Sequence, residues 1–502
     1  MPARSVKPLV SITTDNGSLT VAQRVSASLE VSDPSRSLKR DSLQFARTVA
    51  LSVGIQGPTA GVIVGPAVMA SIVGGAGALA YLLGLVAMSF CAYAFVVFSR
   101  SFNSASSVYA FNGAALGARY GFLSAWLLLF VYTSFAAAVY ASTADIAQSL
   151  LASLGVHVAW VPLAVIGWGL TMLLAYASIG ISSLVIFLLE GVAILLIAVV
   201  GVVILTDGGY HGHALSGSPF QMHGIAFGAL GLGVVNAFGG FSGFEGAATL
   251  GEESSASTRT IPAAVISSLV VSAGVYIAFT WIVDNAYATP HALATDPAPL
   301  VHLADHYVGS TMGKLVNLAG VISAFGAQLA CVNGANRLLY ALGRELGGGA
   351  GARNFLVRTD PRRGSPVGAL AIVGTASLVG LLAFSFESQA LRALVLIVTY
   401  GSYLIIITYL MTVIAAAVWV WRHGRRPIPL LTLSFGVAVL GYVLYDTFHP
   451  FPVPPFDRDV WAALATAAIG VAITVIPGIY RHISTSQLLR ATREPAVSSS
   501  NA

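Results

Sequence analysis

Apolar segments long enough to cross a lipid bilayer recur along most of this 502-residue chain. A hydrocarbon core of roughly 30 Å is crossed by about 20 apolar residues in a helix. Because no water reaches that depth, each backbone amide and carbonyl must be paired inside the protein, which restricts spanning segments to helices and closed barrels. Segments of this length predict helices. We count twelve, at residues 48–70, 73–98, 119–148, 159–178, 180–206, 223–250, 262–284, 311–343, 366–386, 391–421, 428–446 and 459–480.

The composition also indicates a membrane protein. Hydrophobic residues make up 56% of the chain and charged residues only 9%, whereas globular proteins carry about 25% charged residues. We therefore expect an all-α membrane protein. Both cysteines, Cys91 and Cys331, fall in apolar segments, which favours packing over a disulfide. No nucleophile, cofactor or metal-ligand pattern stands out, so we expect no enzyme activity, no cofactor and no metal.

The placement of basic residues predicts the orientation of the chain. With the N-terminus inside and twelve spans, 22 of the 25 Lys and Arg fall on the cytoplasmic side. This asymmetry follows the positive-inside rule. We expect a multi-pass protein of the plasma (inner) membrane with both termini cytoplasmic, in polar tails 1–45 and 482–502 that we predict to be disordered. The lipid bilayer is thus an expected partner, whereas no basic cluster is interleaved with aromatics as a nucleic-acid site requires.

Two of the apolar segments are interrupted by glycine and proline. The first interruption is residues 57–61 (Gly-Pro-Thr-Ala-Gly), and the second is residues 238–246 (Phe-Gly-Gly-Phe-Ser-Gly-Phe-Glu-Gly). These residue types permit or force non-helical backbone. At membrane depth such backbone survives only where it is enclosed by protein or lines a watery cavity. Broken first and sixth spans in corresponding halves point to the substrate site of a secondary transporter.

The breaks divide the spans into groups of five, five and two. The first group covers residues 46–206, the second 223–422 and the last 428–480. Five is an odd number, so the second group would cross the membrane upside down relative to the first. We therefore predict a 5+5 inverted repeat plus two extra helices.

Two carboxylates lie deep within the apolar spans, Glu190 and Glu245. An ionised carboxylate at mid-membrane costs at least ~2.5–3.5 kcal/mol, so each needs a partner, water or a proton. Either residue could exchange a proton during a transport cycle. The alternative is a permanently protonated acid that is hydrogen-bonded to the broken backbone.

The broken backbone offers a second set of ligands. The half-helix that begins after Gly61 points its positive N-terminus and free amides inward, which suits a carboxylate. The half-helix that ends near Ser242 leaves carbonyls that suit an ammonium group. A zwitterion could therefore be held across both breaks, unless the glycines only permit close helix packing.

Charged residues cluster at the predicted cytoplasmic mouth. Acids and arginines there could form a gate of salt bridges that break on inward opening, or they could be solvated charges at the level of the lipid headgroups. The candidate gate residues are Glu252, Glu253, Arg259, Arg337 and Arg344.

Several motifs resemble the amino acid–polyamine–organocation (APC) superfamily of permeases. The string 241–245 (Phe-Ser-Gly-Phe-Glu) is followed by Gly-Glu-Glu at 251–253, by Arg259 and by Ile-Pro at 261–262, similar to the family's Gly-Phe-Glu, Glu-Glu and Asn-Pro-x-Arg-x-Ile-Pro. The Asn-Pro is absent here. Residues 336–344 resemble the family's Arg-x-x-Tyr-x-x-Gly-Arg.

The resemblance implies the inverted-repeat fold of leucine-type transporters. It places the substrate against the residues Thr59, Ala60, Gly61 and Val62 on the carboxylate side and Phe238, Phe241 and Ser242 on the amine side. The family's gating aromatic falls at Gly239, which implies a roomier pocket. Glu190 stands near the place of a fifth-span Lys in proton-linked relatives, and a carboxylate there could carry a proton or bind sodium.

The sequence therefore predicts a secondary active transporter that moves an amino acid or related amine by alternating access, with proton symport as the expected mode. Within transport, the alternatives are an exchanger or a sodium-coupled carrier of another small organic solute. From a different class, the alternative is a non-transporting membrane sensor or subunit.

Overall fold

The computed structural model describes residues 44–100, 107–177, 179–212, 215–222, 224–251, 253–254, 257–346, 355–360, 362–424, 427–449 and 451–476. Glu252, the tail 482–502 and residues 1–43 of the predicted N-terminal tail lie outside the described residues. Within the described ranges the chain is helical and has no β-strand, apart from a single bridge between Thr359 and Pro366.

The described residues form sixteen α-helices, which we number in chain order. They are α1 (Phe45–Gln56), α2 (Pro58–Val73), α3 (Gly77–Ser99), α4 (Val108–Leu116), α5 (Ala118–Ala152), α6 (Trp160–Tyr176), α7 (Ile179–Asp207), α8 (Phe227–Phe241), α9 (Ser257–Ala286), α10 (Pro290–Ala294), α11 (Pro299–Tyr307), α12 (Ser310–Leu346), α13 (Val367–Leu382), α14 (Ala390–Arg422), α15 (Pro427–Phe448) and α16 (Phe456–Val475).

Ten helical segments in the described part of the chain are long and apolar enough to cross a bilayer. The pair α1–α2 counts as one of them, as does α8 with the turn that follows it. Two shorter apolar helices, α6 and α13, occupy the positions of the fourth and ninth predicted spans. The expected all-helical membrane architecture is therefore confirmed at the level of about ten spans.

The first span is interrupted at a single residue, Gly57. Its backbone adopts φ 50° and ψ 52°, the left-handed conformation that glycine reaches without steric cost. Pro58 then begins α2, where its missing N–H costs nothing because the first amides of a helix have no intrahelical partner. The break therefore ends one helix and starts another within one residue.

The sixth span is interrupted at Ser242 and Gly243. Helix α8 continues through Gly239 and Gly240, so the break is shorter than the glycine-rich stretch predicted. Gly243 has φ 111°, and a 3₁₀ segment, Phe244–Leu250, continues the span.

The two breaks are in direct contact. A Cβ added to Gly243 would lie 2.3 Å from Cγ2 of Ile55, a residue in the last turn of α1. A Cβ on Gly246 would lie 2.4 Å from Cδ1 of the same isoleucine. The interruption of one span thus packs against the interruption of the other, which places their unpaired helix ends in one region.

Helix α5 packs along both α12 and α14, which are its two main neighbours. Helix α15 contacts α14, α3 and α8, whereas α16 contacts α14 and α5, and both leave most of their surface exposed. Helix α7 reaches the first break through its contacts with α1 and α12. The breaks are therefore surrounded by helices that come from distant parts of the chain.

Candidate functional site

A buried carboxylate occupies the start of α2. The backbone amide of Thr59 donates a hydrogen bond of 3.1 Å to Oε1 of Glu190, and the Thr59 hydroxyl donates one of 2.9 Å to the same oxygen. The amide of Ala60 donates to Oγ of Ser323 at 3.1 Å. The first amides of a helix carry partial positive charge and need acceptors. Glu190, from α7, supplies one of them.

The second oxygen of Glu190 is in a different position. Oε2 is buried and has no hydrogen-bond partner among the described residues. The Ser323 side chain, from α12, faces the same carboxylate. Since buried acceptors are nearly always paired, an unpaired one is a place to look for a proton or ligand. Oε2 can accept a proton without the loss of any hydrogen bond that Glu190 makes.

The carboxylate of Glu245 lies beside the sixth-span break and is fully buried. Oε1 accepts a hydrogen bond of 2.9 Å from the Tyr132 hydroxyl of α5. Oε2 accepts a bond of 3.0 Å from the amide of Gly243 and another from the Tyr409 hydroxyl of α14. Both oxygens therefore have donors, and the carboxylate joins α5, the break and α14.

The sequence did not link either tyrosine to Glu245. Tyr132 is 113 positions away from it, in a different apolar helix. Tyr409 was not singled out at all, because it is 164 positions from Glu245 and lies in an apolar helix. Two further tyrosines of the same helices, Tyr140 and Tyr400, bond elsewhere, to Ser377 and Thr466.

One face of α8 is open next to the break. Gly239 is exposed, and a Cβ added there would meet no heavy atom within 4 Å. Asn236, about one turn earlier, is also exposed. On the first span, Ala60 and Gly61 keep part of their surface. Of the predicted substrate residues, Ala60, Gly61 and Gly239 are therefore the accessible ones, and Asn236 is an exposed residue that the sequence did not point to.

The other predicted substrate residues are buried in packing. Phe238 packs edge-on against Tyr409 with ring centroids 5.8 Å apart. Phe241 contacts the ring of Tyr276 at 5.7 Å. The Ser242 hydroxyl donates a hydrogen bond of 3.0 Å to the Phe238 carbonyl. This carbonyl, near the C-terminal end of α8, is therefore already paired. Thr59 and Val62 are also buried.

An ion pair closes the predicted cytoplasmic end. Arg337 donates from Nε to Oε2 of Glu253 at 2.7 Å, and both side chains are almost fully buried, at 2% and 1% exposure. Nη1 of Arg337 also donates to the carbonyl and side-chain oxygens of Asn333. Breaking such a buried pair by removal of one partner typically costs about 3–5 kcal/mol. The contact links α12 to the segment that follows the sixth span.

The other gate candidates that the structure describes, Arg344 and Arg259, have different surroundings. Arg344 stacks over the ring of Tyr340 on its own helix, 5.7 Å from the centroid. Arg259 is exposed at the start of α9. Glu252 lies outside the described residues. Of the five predicted gate residues, the structure therefore brings Glu253 and Arg337 together.

Helix α1 is fastened to the sixth span at the same end. Ser52 donates to the Phe244 carbonyl at 2.7 Å and accepts from the Ala247 amide at 2.7 Å. The hydroxyls of Thr48 and Ser254 lie 3.1 Å apart. These groups are buried, so this end of the site is closed while the Gly239 face is open.

The chain belongs to a known protein family. Residues 43–475 match the family described as amino acid permease, which covers most of the sequence. The expected resemblance to the APC superfamily is thereby confirmed. The protein is a multi-pass membrane permease and not an enzyme.

The relatives of this chain are named for different substrates. The branched-chain amino acid permease BcaP of Lactococcus lactis is 27% identical over 64% of this chain and 73% of its own length. The methylthioribose transporter of Bacillus subtilis is 25% identical over 63% of this chain and 70% of its own. The low-affinity putrescine importer PlaP of Escherichia coli is 22% identical over 69% and 74%.

The fold is shared with a solved transporter. A manganese transporter of Eremococcus coleocola superposes with a TM-score of 0.54 at 13% identity, covering 90% of this chain and 100% of its own. At this identity the similarity concerns the fold alone.

Proposed function

We propose that this protein is a secondary active transporter that carries an amino acid or related amine together with a proton, by alternating access between the two sides of the membrane. The observation that carries the proposal is the carboxylate of Glu190 on the amide of Thr59, with its second oxygen unpaired. Family membership supports transport, and the geometry of the first break supports proton coupling.

Competition between two carboxylates would couple the proton to the substrate. While Glu190 is ionised, it holds the Thr59 amide and hydroxyl. A proton on Oε2 neutralises Glu190 and weakens both bonds, because charge-assisted hydrogen bonds are about twice as strong as neutral ones. The carboxylate of the substrate can then take over the amides at the start of α2. Each ligand therefore favours the other, as linkage requires.

The other end of the substrate would lie against α8. The C-terminal end of a helix carries partial negative charge, which stabilises an ammonium group. Helix α8 ends at Phe241, beside the first break. The open surface at Gly239 leaves space for the substrate side chain. The accessible residues Ala60, Gly61 and Gly239 would line this pocket.

Alternating access would involve the closed end of the site. The buried pair of Glu253 and Arg337 and the bonds of Ser52 would separate when the predicted cytoplasmic side opens. A pair of charges can leave each other at modest cost once water reaches them, since exposed ion pairs contribute only about 0–1 kcal/mol. The ion pair of Glu253 and Arg337 would therefore hold the gate closed while it is buried and would separate easily once water reaches it.

We also propose the finer topology. Helices α6 and α13 contain 17 and 16 residues, about 25 Å at 1.5 Å per residue, which is close to the thickness of a hydrocarbon core. Counting both as spans gives twelve, divided as 46–206, 223–422 and 428–480, with the first two groups as inverted repeats. Cytoplasmic tails 1–45 and 482–502 complete the arrangement.

Transport by the purified protein in proteoliposomes tests the proposal. We would screen leucine and putrescine by thermal shift, since a ligand that binds the native state raises its melting temperature, and then measure uptake of the stabilising compound. Accumulation driven by an imposed proton gradient is the expected result. Accumulation driven only by sodium contradicts proton coupling, uptake only against preloaded substrate indicates an exchanger, and no flux with either compound contradicts the proposal.

A further inference from the structure

A stripe of polar side chains runs along α9 toward the predicted outer surface. Ser272, Tyr276, Thr280 and Asp284 are spaced four residues apart, so they share one face of the helix. The buried atoms Oγ of Ser272, Oγ1 of Thr280 and Oδ2 of Asp284 have no hydrogen-bond partner among the described residues. Unpaired polar groups are costly inside a membrane protein.

The stripe faces the start of α3. A Cβ added to Gly77 would lie 2.8 Å from Cγ2 of Thr280 and 3.2 Å from Oδ2 of Asp284. One turn further along α3, the Tyr81 ring stacks on Tyr276 with centroids 5.1 Å apart and planes at 14°. The small residue at 77 thus lets α3 approach the acid, and Tyr81 continues the polar surface inward.

The inner end of the stripe reaches the first break. The Tyr276 hydroxyl donates to the Gln56 carbonyl at 3.1 Å. Both polar atoms of the Gln56 side chain are buried without a partner among the described residues. Tyr276 also lies close enough to Glu190 for the two groups to interact electrostatically. A series of polar groups, of which those of Asp284, Thr280 and the Gln56 side chain include unpaired atoms, therefore extends from Asp284 toward Glu190. We call Asp284, Thr280, Tyr81, Tyr276 and Gln56 the polar file.

The dimensions suit a short hydrogen-bonded chain. Eight residues separate Asp284 from Tyr276, about 12 Å along a helix. Ordered waters typically satisfy buried polar groups of this kind when two to four partners surround them. The file lies against the Gly61 side of α2 that Tyr276 covers, since a Cβ on Gly61 would lie 2.3 Å from the Tyr276 hydroxyl.

We propose that Asp284 takes up the coupling proton from the outer solution and that the polar file conducts it to Oε2 of Glu190. Asp284 retains some exposed surface while its Oδ2 is buried, so it faces both environments. A hydronium ion gives its proton to the Asp284 carboxylate. Hydroxyl groups and waters of the file then each accept one proton and release another, and Glu190 receives the last.

The titratable groups that face the file are few. Tyr81, on α3, faces Asp284, and Tyr276 is faced by Tyr81 and by Glu190. At its inner end Glu190 is surrounded by Thr59 and Ser323, which do not titrate. Tyrosine hydroxyls ionise only near pH 10, so Asp284 and, beyond the inner end of the file, Glu190 are the two carboxyl groups on this route that can store the proton.

Because the inference rests on the proposed role of Glu190, the test follows Glu190 itself. The infrared band of its protonated carboxyl group would be recorded after a rapid drop in pH on the protein in lipid nanodiscs, with Glu190→Gln to identify the band. Asp284→Asn should slow the appearance of the band about a hundredfold, the scale of a lost proton-transfer group. Thr280→Val should slow it less.

Controls separate the possible failures. Asp305→Asn removes an exposed acid of α11 outside the file and should leave the rate unchanged. Asp284→Glu should restore most of the rate, which a merely structural role of Asp284 would not produce. A wild-type rate in Asp284→Asn overturns the route but keeps Glu190 as the proton carrier. If no band titrates with Glu190, the proposed coupling itself fails.

Discussion

The two breaks each hold one buried glutamate, yet the surroundings of the two carboxylates are opposite. Thr59 donates two hydrogen bonds to one oxygen of Glu190, whereas the other oxygen has no geometric hydrogen-bond partner among the described residues, although the Ser323 hydroxyl faces the carboxylate. Glu245 has donors on both oxygens, from α5, the break and α14. Equal burial thus produces two different chemical sites.

The two carboxylates differ in whether an oxygen is left without a hydrogen-bond donor. A proton added to Glu190 finds a vacant oxygen. Both oxygens of Glu245 already accept hydrogen bonds. A tyrosine hydroxyl would therefore have to rotate and become an acceptor before Glu245 could take up a proton. An unpaired buried polar group costs about 1–3 kcal/mol, which protonation or a ligand can relieve at Glu190. We therefore assign the coupling role to Glu190 and a bracing role to Glu245.

The largest effect is expected for Glu190→Gln. In the wild type, substrate affinity should rise as the pH falls, because protonation frees the Thr59 amide, by at most about tenfold per pH unit for one proton. The glutamine cannot ionise, so this dependence should vanish. Binding of leucine measured by calorimetry at several pH values checks this. A wild-type slope in the variant, with Asp305→Asn as the matched control, contradicts the assignment.

The second-largest effect is expected for Gly61→Val, which should lower leucine affinity and protein stability at the first break. The new side chain would collide with the Tyr276 hydroxyl, which lies 2.3 Å from an ideal Cβ position, and overpacking costs about 1–3 kcal/mol. Loss of leucine binding and a lower melting temperature are expected. Gly239→Ala is the control, because it meets open space and should change stability by less than about 0.5 kcal/mol. Unchanged affinity in Gly61→Val would argue against the site at α2.

Glu245→Gln tests the second half of the comparison, the structural role of Glu245. The NH2 of the new amide would present hydrogens to one of the two tyrosine hydroxyls that now donate, while its oxygen still accepts from the other, at a cost of about 1–3 kcal/mol in the free energy of unfolding. The pH dependence of leucine binding should persist. Chemical denaturation and calorimetry measure the two quantities. If the variant keeps its stability and loses its pH response, the roles of the two glutamates are exchanged.

The smallest effects concern the tyrosines around Glu245. Tyr132→Phe removes the one donor to Oε1 given by the structure, whereas after Tyr409→Phe the Gly243 amide still serves Oε2. We expect losses of about 1–2 kcal/mol for the first and about 0.5–1 kcal/mol for the second. Thermal unfolding of both variants side by side gives the ranking, and the reverse order would show that the Tyr409 bond dominates.

The sequence was informative where the physics is local. Hydropathy predicted the membrane class, glycine and proline marked both breaks, and the rarity of acids in apolar spans identified Glu190 and Glu245. It was less informative at span ends. Asp284 stood at the edge of its predicted span, and nothing in the local sequence showed that Gly77 and Tyr81 would enclose it.

The sequence by itself determined that this chain crosses the membrane, that two spans break, and which acids lie deep. Each of these follows from the solvation of residues close together in the chain. Only the tertiary structure decided which groups those acids meet: Thr59 is 131 positions from Glu190, and Tyr409 is 164 from Glu245. A hydrogen bond requires atoms about 3 Å apart in fixed directions, and helix packing brings them there.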